Sequence, residues 1–266
     1  MQRPLAALAL LAALGSASAE DIVILATRGG VTQPYLLAVP DAGKAQAVAI
    51  LFPGGAGKVN LEREAGRILL ESGNFLVRTR RLFTSAGVIA AVIDAPSDQA
   101  GGMPNSFRKS EAHAADIRAV VADMKKRFGG LPVFLVGTSM GTVSAAHVGR
   151  ALGPEISGIV LTASAFRASG SRSRHGDSNL SDFDLADIKT ELLIVHHSED
   201  ACVTCPYAEA RRRAANRPLI TVSGGRAAES GPCEPMSAHG FLGRETDTVD
   251  AIAKWMLKQP YPREIH

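Results

Sequence analysis

The sequence predicts an α/β fold: an eight-stranded, mostly parallel sheet that opens with an antiparallel N-terminal hairpin and carries helices on both faces. Three observations predict it. Short β-rich runs alternate with helical patterns along most of the 266 residues, the signature of a sheet flanked by helices. The runs are continuously apolar, which suits strands buried on both faces. The first pair differs, since Asp21 to Thr27 and Val31 to Val39 flank Gly29-Gly30 and read as a hairpin at the sheet edge.

Before the hairpin, residues 1–19 read as an export signal. Arg3 gives a positive start, Leu5 to Leu14 an apolar run too short to span a bilayer, and Ala17-Ser18-Ala19 a small-residue cleavage site. The domain is therefore expected over 20–266, in the periplasm or outside the cell. After the hairpin come strands at Ala47 to Phe52, Val88 to Ile93, Pro132 to Val136, Gly158 to Thr162, Leu192 to Val195 and Leu219 to Val222. The clearest helix is Glu111 to Phe128, where Ile117, Val120, Val121, Met124 and Phe128 recur at helical spacing and Gly129-Gly130 ends it. A last helix is expected from Thr246 to Lys258. Between two strands, Ala168 to Ser181 is rich in Ser, Arg, Gly and Asp and reads as an exposed loop or a minimal lid.

Charge gives little direction, because 29 basic residues offset 26 acidic ones. That near-balance gives no reason to expect nucleic acid or an anionic membrane as partner, and no later segment reads as a membrane span. Arg78, Arg80 and Arg81 form a small basic cluster, read first as a solvated helix face and second as a recognition site for an acidic substrate. Three cysteines, Cys202, Cys205 and Cys233, sit in the last third, and an exported chain is expected to form one disulfide and leave one thiol.

The chemistry begins at Gly137-Thr138-Ser139-Met140-Gly141, between the strand ending at Val136 and a helical pattern from Thr142 to Leu152. A serine on a tight strand-to-helix turn stands clear of the sheet, the glycines let neighbouring chain pass close, and the helix N-terminus favours developing negative charge. With this motif in this context the chain resembles the α/β-hydrolase superfamily, nearer its dienelactone-hydrolase-like branch with little or no cap. The dienelactone hydrolases use a cysteine nucleophile where this sequence has Ser139, so their lactone substrate does not carry over with the fold.

The resemblance implies an order of nucleophile, acid and histidine. After the strand Leu192 to Val195, His196-His197-Ser198-Glu199-Asp200 resembles the acid loop, with Asp200 the expected acid and Glu199 the fallback. His239, in the loop before the last helix, is the expected general base. His113 and His147 lie on helical patterns, His175 in the lid and His266 at the terminus. The resemblance also places a backbone donor for an oxyanion after the first parallel strand, in Phe52-Pro53-Gly54-Gly55-Ala56-Gly57-Lys58, with Gly55 preferred, Ala56 second, and Met140 supplying the other N–H. A phosphate-loop reading of that segment fails at Phe52 and Val59.

If Asp200 and His239 hydrogen-bond, their loops converge, and Cys202 and Cys233 then come within the roughly 7 Å between Cα atoms that a disulfide needs. Cys202 is preferred to Cys205 because it is nearer the acid and because hydrolases of this kind tend to carry a cysteine at that spacing. Cys205 is left as a buried thiol. His196, His197, Cys202 and Cys205 also spell a metal-like pattern, but neighbouring strand residues point to opposite faces, so no metal is expected, and one of the two histidines is expected to pack and hydrogen-bond beneath the acid loop. No cofactor is implied. The expected function is an exported serine hydrolase acting on a small-molecule ester or related acyl compound through an acyl-Ser139 intermediate. An exopeptidase, amidase or thioesterase on the same triad, or a catalytically silent binding protein of the same fold, are the alternatives.

Overall fold

The structure is a computed structural model that describes residues 19–168 and 178–266. The export signal therefore lies outside the described residues apart from Ala19, as do residues 169–177 of the expected lid, His175 among them. Among the described residues no helix is long and apolar enough to cross a membrane.

The hairpin forms from β1, Ala19–Ala26, and β2, Thr32–Val39, paired antiparallel. Then come β3, Ala47–Phe52; a small outlying hairpin of β4, Glu62–Glu64, and β5, Arg67–Leu69; and two short helices, α1 at Phe75–Arg78 and α2 at Arg80–Ser85. Next are β6, Val88–Ile93, and the helices α3, Asn105–Arg108, and α4, Glu111–Phe128. β7, Val133–Thr138, leads into α5, Gly141–Leu152, and is followed by β8, Gly158–Thr162, and β9, Glu191–His197. The chain ends with α6, Tyr207–Ala214; β10, Leu219–Val222; α7, Glu245–Met256; and β11, Glu264–Ile265.

The main sheet runs β1-β2-β6-β3-β7-β8-β9-β10-β11, parallel from β6 onward. It has nine strands where eight were expected. The ninth, β11, is a two-residue parallel partner of β10, too short to leave a period in the sequence. Strand period two divides the core in the expected way. Val48, Ile50 and Phe52 of β3 pack with Ile117, Val121 and Met124 of α4 and Val143 of α5, whereas Ala49 and Leu51 face Phe75, Phe83, Ile252 and Trp255 on the other side.

Local chemistry explains α4. Ser110 caps it by accepting the His113 backbone N–H at 3.2 Å, and Gly129 ends it at φ 68° in the left-handed region. The arginine cluster is consumed by the fold. Arg80 and Arg81 both pair with Glu20 at 2.9 Å, and Arg78 donates to the Gly240 carbonyl at 2.6 Å and pairs with Glu245 at 3.0 Å. A parallel sheet delivers its loops to the carboxyl ends of the strands, so the segments after β3, β7, β9 and β10 meet at one edge.

Candidate active site

Ser139 follows β7 directly and holds φ 52°, a left-handed conformation uncommon for a residue with a Cβ. The surroundings over-determine it. Its N–H donates to the Thr162 carbonyl at 3.1 Å, and its carbonyl accepts both the Thr142 N–H at 2.9 Å and the Thr142 hydroxyl at 2.5 Å. The two motif glycines are required by close approach: a Cβ at Gly137 would sit 2.4 Å from the Gly141 carbonyl oxygen, and one at Gly141 would sit 2.1 Å from that of Phe52. The serine therefore stands on a turn bonded to the end of β8 and packed closely against the end of β3.

Asp200 and His239 meet across the sheet edge. The His239 Nδ1 is 2.8 Å from Asp200 Oδ2, which makes it the protonated nitrogen and leaves Nε2 as the acceptor. Nε2 is buried and has no hydrogen-bond partner among the described residues. Asp200 also accepts the Cys202 N–H at 2.9 Å and lies 3.4 Å from His196 Nε2. Burial acts to raise the Asp200 pKa, but hydrogen bonds from His196 and His239 outweigh it and hold the carboxyl below its usual range. Glu199, by contrast, is exposed.

Both histidines of β9 are committed to the acid loop, one on each side of the strand. His196 Nδ1 accepts the Ser164 N–H at 3.3 Å, so its Nε2 carries the proton toward the Cys205 carbonyl at 2.8 Å and toward Asp200. His197 Nδ1 accepts the Glu199 N–H at 3.1 Å and its Nε2 reaches the Gly224 carbonyl at 3.0 Å. Cys202 and Cys233 form a disulfide with Cα atoms 4.5 Å apart, which ties the loop of Asp200 to the loop of His239. Cys205 is the free, buried cysteine, and burial pushes its thiol up to about 12. The Cys202, Cys205 and His239 donor atoms lie within 4.8 Å of one another, but the Cys202 sulfur is spent in the disulfide.

The loop after β3 forms the opposite wall. Gly57 N–H closes a turn on the Gly54 carbonyl at 3.0 Å, and Asp94, buried at the end of β6, accepts the Val59 and Leu61 N–H groups at 2.7 and 2.8 Å. The N–H groups of Gly55, Ala56 and Met140 donate to no partner among the described residues. Gly54, Gly55, Ala56, Ser139, His239 and Cys233 line one open cavity of about 450 Å³. The structure thus brings Ser139, Asp200, His239 and the glycine loop together. Sequence reasoning missed Thr142, which had no signal beyond following the motif. It expected one of His196 and His197 to hydrogen-bond beneath the acid loop, and both do.

Known proteins can be set beside this geometry. A family model described as serine aminopeptidase, S33, matches residues 97–226. A search of curated protein sequences finds no match. Among solved structures, Est1E from Butyrivibrio proteoclasticus with bound ferulic acid superposes with a TM-score of 0.61 at 16% identity over 89% of this chain and 98% of that one. A dienelactone hydrolase from Anabaena variabilis gives 0.60 at 13% identity over 91% and 98%. A serine hydrolase without a lid from Xanthomonas campestris gives 0.56 at 15% identity over 90% and 94%. The fold is that of the α/β-hydrolases.

Proposed function

We propose that the protein is an exported serine hydrolase that cleaves an ester or related acyl bond in a small molecule through an acyl-Ser139 intermediate. The observation that carries the reading is a histidine whose Nδ1–H is fixed by a buried carboxylate and whose Nε2 has no partner among the described residues, beside a cavity that Ser139 also lines. His239 Nε2 takes the Ser139 hydroxyl proton as Oγ attacks the acyl carbon, and Asp200 stabilises the imidazolium that forms. The oxyanion is met by the Met140 N–H and by a donor of the Gly55-Ala56 segment. His239 returns the proton to the leaving alcohol, and water repeats the sequence on the acyl-enzyme. Export is supported by the residue 1–19 pattern and by the disulfide, which suits an oxidising compartment.

The resemblance to a serine aminopeptidase model favours a second reading, an exopeptidase on the same residues. A fluorophosphonate probe followed by p-nitrophenyl esters of graded chain length and aminoacyl anilides separates the two. Probe labelling lost in Ser139→Ala, with ester turnover exceeding anilide turnover, is the expected result. Labelling that survives Ser139→Ala defeats the assignment, and turnover of anilides alone favours the exopeptidase.

A further inference from the structure

Arg108, the last residue of α3, is fully buried, and burial alone lowers its pKa to about 10, with no carboxylate contributing. A cation with no counter-ion in a protein interior is costly unless its hydrogens are all used. Here each of the three guanidinium nitrogens donates one hydrogen bond, and the acceptors belong to the parts of the site that carry oxyanion donors. Nη2 donates to the Gly55 carbonyl at 2.9 Å, Nη1 to the Ser144 hydroxyl on α5 at 3.1 Å, and Nε to the Met103 carbonyl at 3.0 Å. Met103 in turn donates its N–H to the Ala56 carbonyl at 2.8 Å. The fit is close, since a Cβ at Gly57 would lie 2.6 Å from Arg108 Nη2.

The direction of one peptide follows from this. Gly54 to Gly57 is a four-residue turn closed by the Gly57 N–H, with Gly55 at φ 57°, so the Gly55–Ala56 peptide is its central unit. That unit accepts no ladder bond and is the one a turn can reorient. In a planar trans peptide the carbonyl and the following N–H point in opposite directions. A Gly55 carbonyl held inward on a buried guanidinium therefore turns the Ala56 N–H outward, where Ala56 lines the cavity shared with Ser139. The Ser144 bond ties the same guanidinium to the helix whose N-terminus presents the Met140 N–H.

We propose that Arg108 is a positioning residue for acyl transfer: it locks the central peptide of the glycine turn so that Ala56, rather than Gly55, supplies the oxyanion donor, at a fixed place relative to Met140. The proposal rests on the reading of Ser139 as nucleophile. Its test uses Arg108→Met, which keeps the bulk and loses the donors, Arg108→Lys, Ala56→Pro, which deletes the N–H on an exposed turn, and the Arg108→Met/Ala56→Pro double variant. Loss of one oxyanion donor lowers kcat by on the order of a hundredfold or more. Arg108→Met and Ala56→Pro are each expected to show that loss with KM within about threefold, Arg108→Lys a smaller one. The double variant is expected to be no slower than the worse single, because both act through one donor. Wild-type kcat in folded Arg108→Met, or fully multiplicative losses in the double variant, overturns the proposal. If both Arg108 variants fail to fold, Ala56→Pro decides: kcat within threefold of wild type overturns the assignment, and a hundredfold loss upholds it. Fluorophosphonate labelling of the wild-type protein keeps the two readings apart, since absent labelling defeats the nucleophile and leaves the geometry of the turn standing.

Discussion

His113 gives the protein a pH dependence of stability that can be worked out from its surroundings. The ring is fully buried on α4, packed at 5.9 Å from the Phe52 ring and 5.1 Å from that of Phe107, and neither nitrogen has a hydrogen-bond partner among the described residues. Burial, then the charges of Arg108 and Arg28, lower its pKa from 6.5 to about 3. A depressed histidine is neutral in the fold but takes up a proton in the unfolded chain below its ordinary pKa. Unfolding then binds one proton, so stability rises with pH between about 3 and 6.5 and falls as pH drops through that window. Between about pH 7.5 and pH 5 the unfolded state gains roughly 2 kcal/mol from this one group, at about 1.4 kcal/mol per unit below 6.5. The result does not depend on the folded value, provided that it stays well under 5. His113→Leu is close in volume and removes two buried, unpaired nitrogens, so it is expected to be at least as stable as wild type at pH 7.5. Urea unfolding of both proteins at the two pH values, extrapolated linearly, isolates the term. His147, lowered to about 4 chiefly by burial, is present in both proteins and cancels. The variant should lose about 2 kcal/mol less than wild type on acidification; equal losses in the two would refute the argument.

Three further outcomes are expected. Asp200→Asn should lower turnover by several orders of magnitude while Glu199→Gln, on an exposed side chain, changes it little; steady-state kinetics of the two variants checks the assignment, and reversed effects would move the acid by one residue. Reduction of Cys202–Cys233 should lower stability by about 3 to 4 kcal/mol, from closing a 31-residue separation, and lower activity as the His239 loop loosens; undiminished activity after verified reduction in dithiothreitol would defeat the second part. Glu20→Ala should destabilise the fold by about 2 kcal/mol because it strands Arg80, which is nearly buried, and calorimetry showing an unchanged Tm would contradict this.

The parts of the fold that could be read in the sequence are those whose cause is local. Continuous apolar runs mark strands because both faces of β3, β6 and β7 are buried, and α4 has the same bounds in the sequence as in the structure because Ser110 and Gly129 cap it. The hairpin of β4 and β5 was missed because its residues, Glu62–Glu64 and Arg67–Leu69, are mostly charged and mostly exposed, and each strand is only three residues long. β11 was missed because it exists only through its pairing with β10. Strand order is likewise a property of long-range pairing, and no window of sequence contains it.

The candidate site divides in the same way. The elbow could be read because its steric demands fall within five residues, Gly137 to Gly141, and the disulfide because the convergence of two loops constrains where cysteines can meet. Arg108 escaped notice because Arg108-Lys109-Ser110-Glu111 reads as a solvated helix start, and nothing in that run marks one charge as buried. Asp94 is hidden in the same way: Asp94 to Asp98 ends a strand at the edge where such folds bind ligands, and nothing in that run shows that the Asp94 carboxylate holds the loop after β3 in place.

These anchors have a common cause. A loop that leaves the end of a buried strand carries N–H and C=O groups that the sheet no longer satisfies, and a site needs those loops rigid. The protein answers with buried polar side chains: Thr142 on the Ser139 turn, His196 on the acid loop, and both Asp94 and Arg108 on the glycine loop. Such a side chain must lie next in space to the loop it serves, but its own position in the chain is free, from three residues away for Thr142 to 53 for Arg108. The chemistry-bearing residues are therefore tied to motifs and the residues that hold them are not. A substitution at an anchor should alter the rate through geometry, lowering kcat more than substrate binding, because the donors it misplaces are needed most when charge develops on the oxyanion.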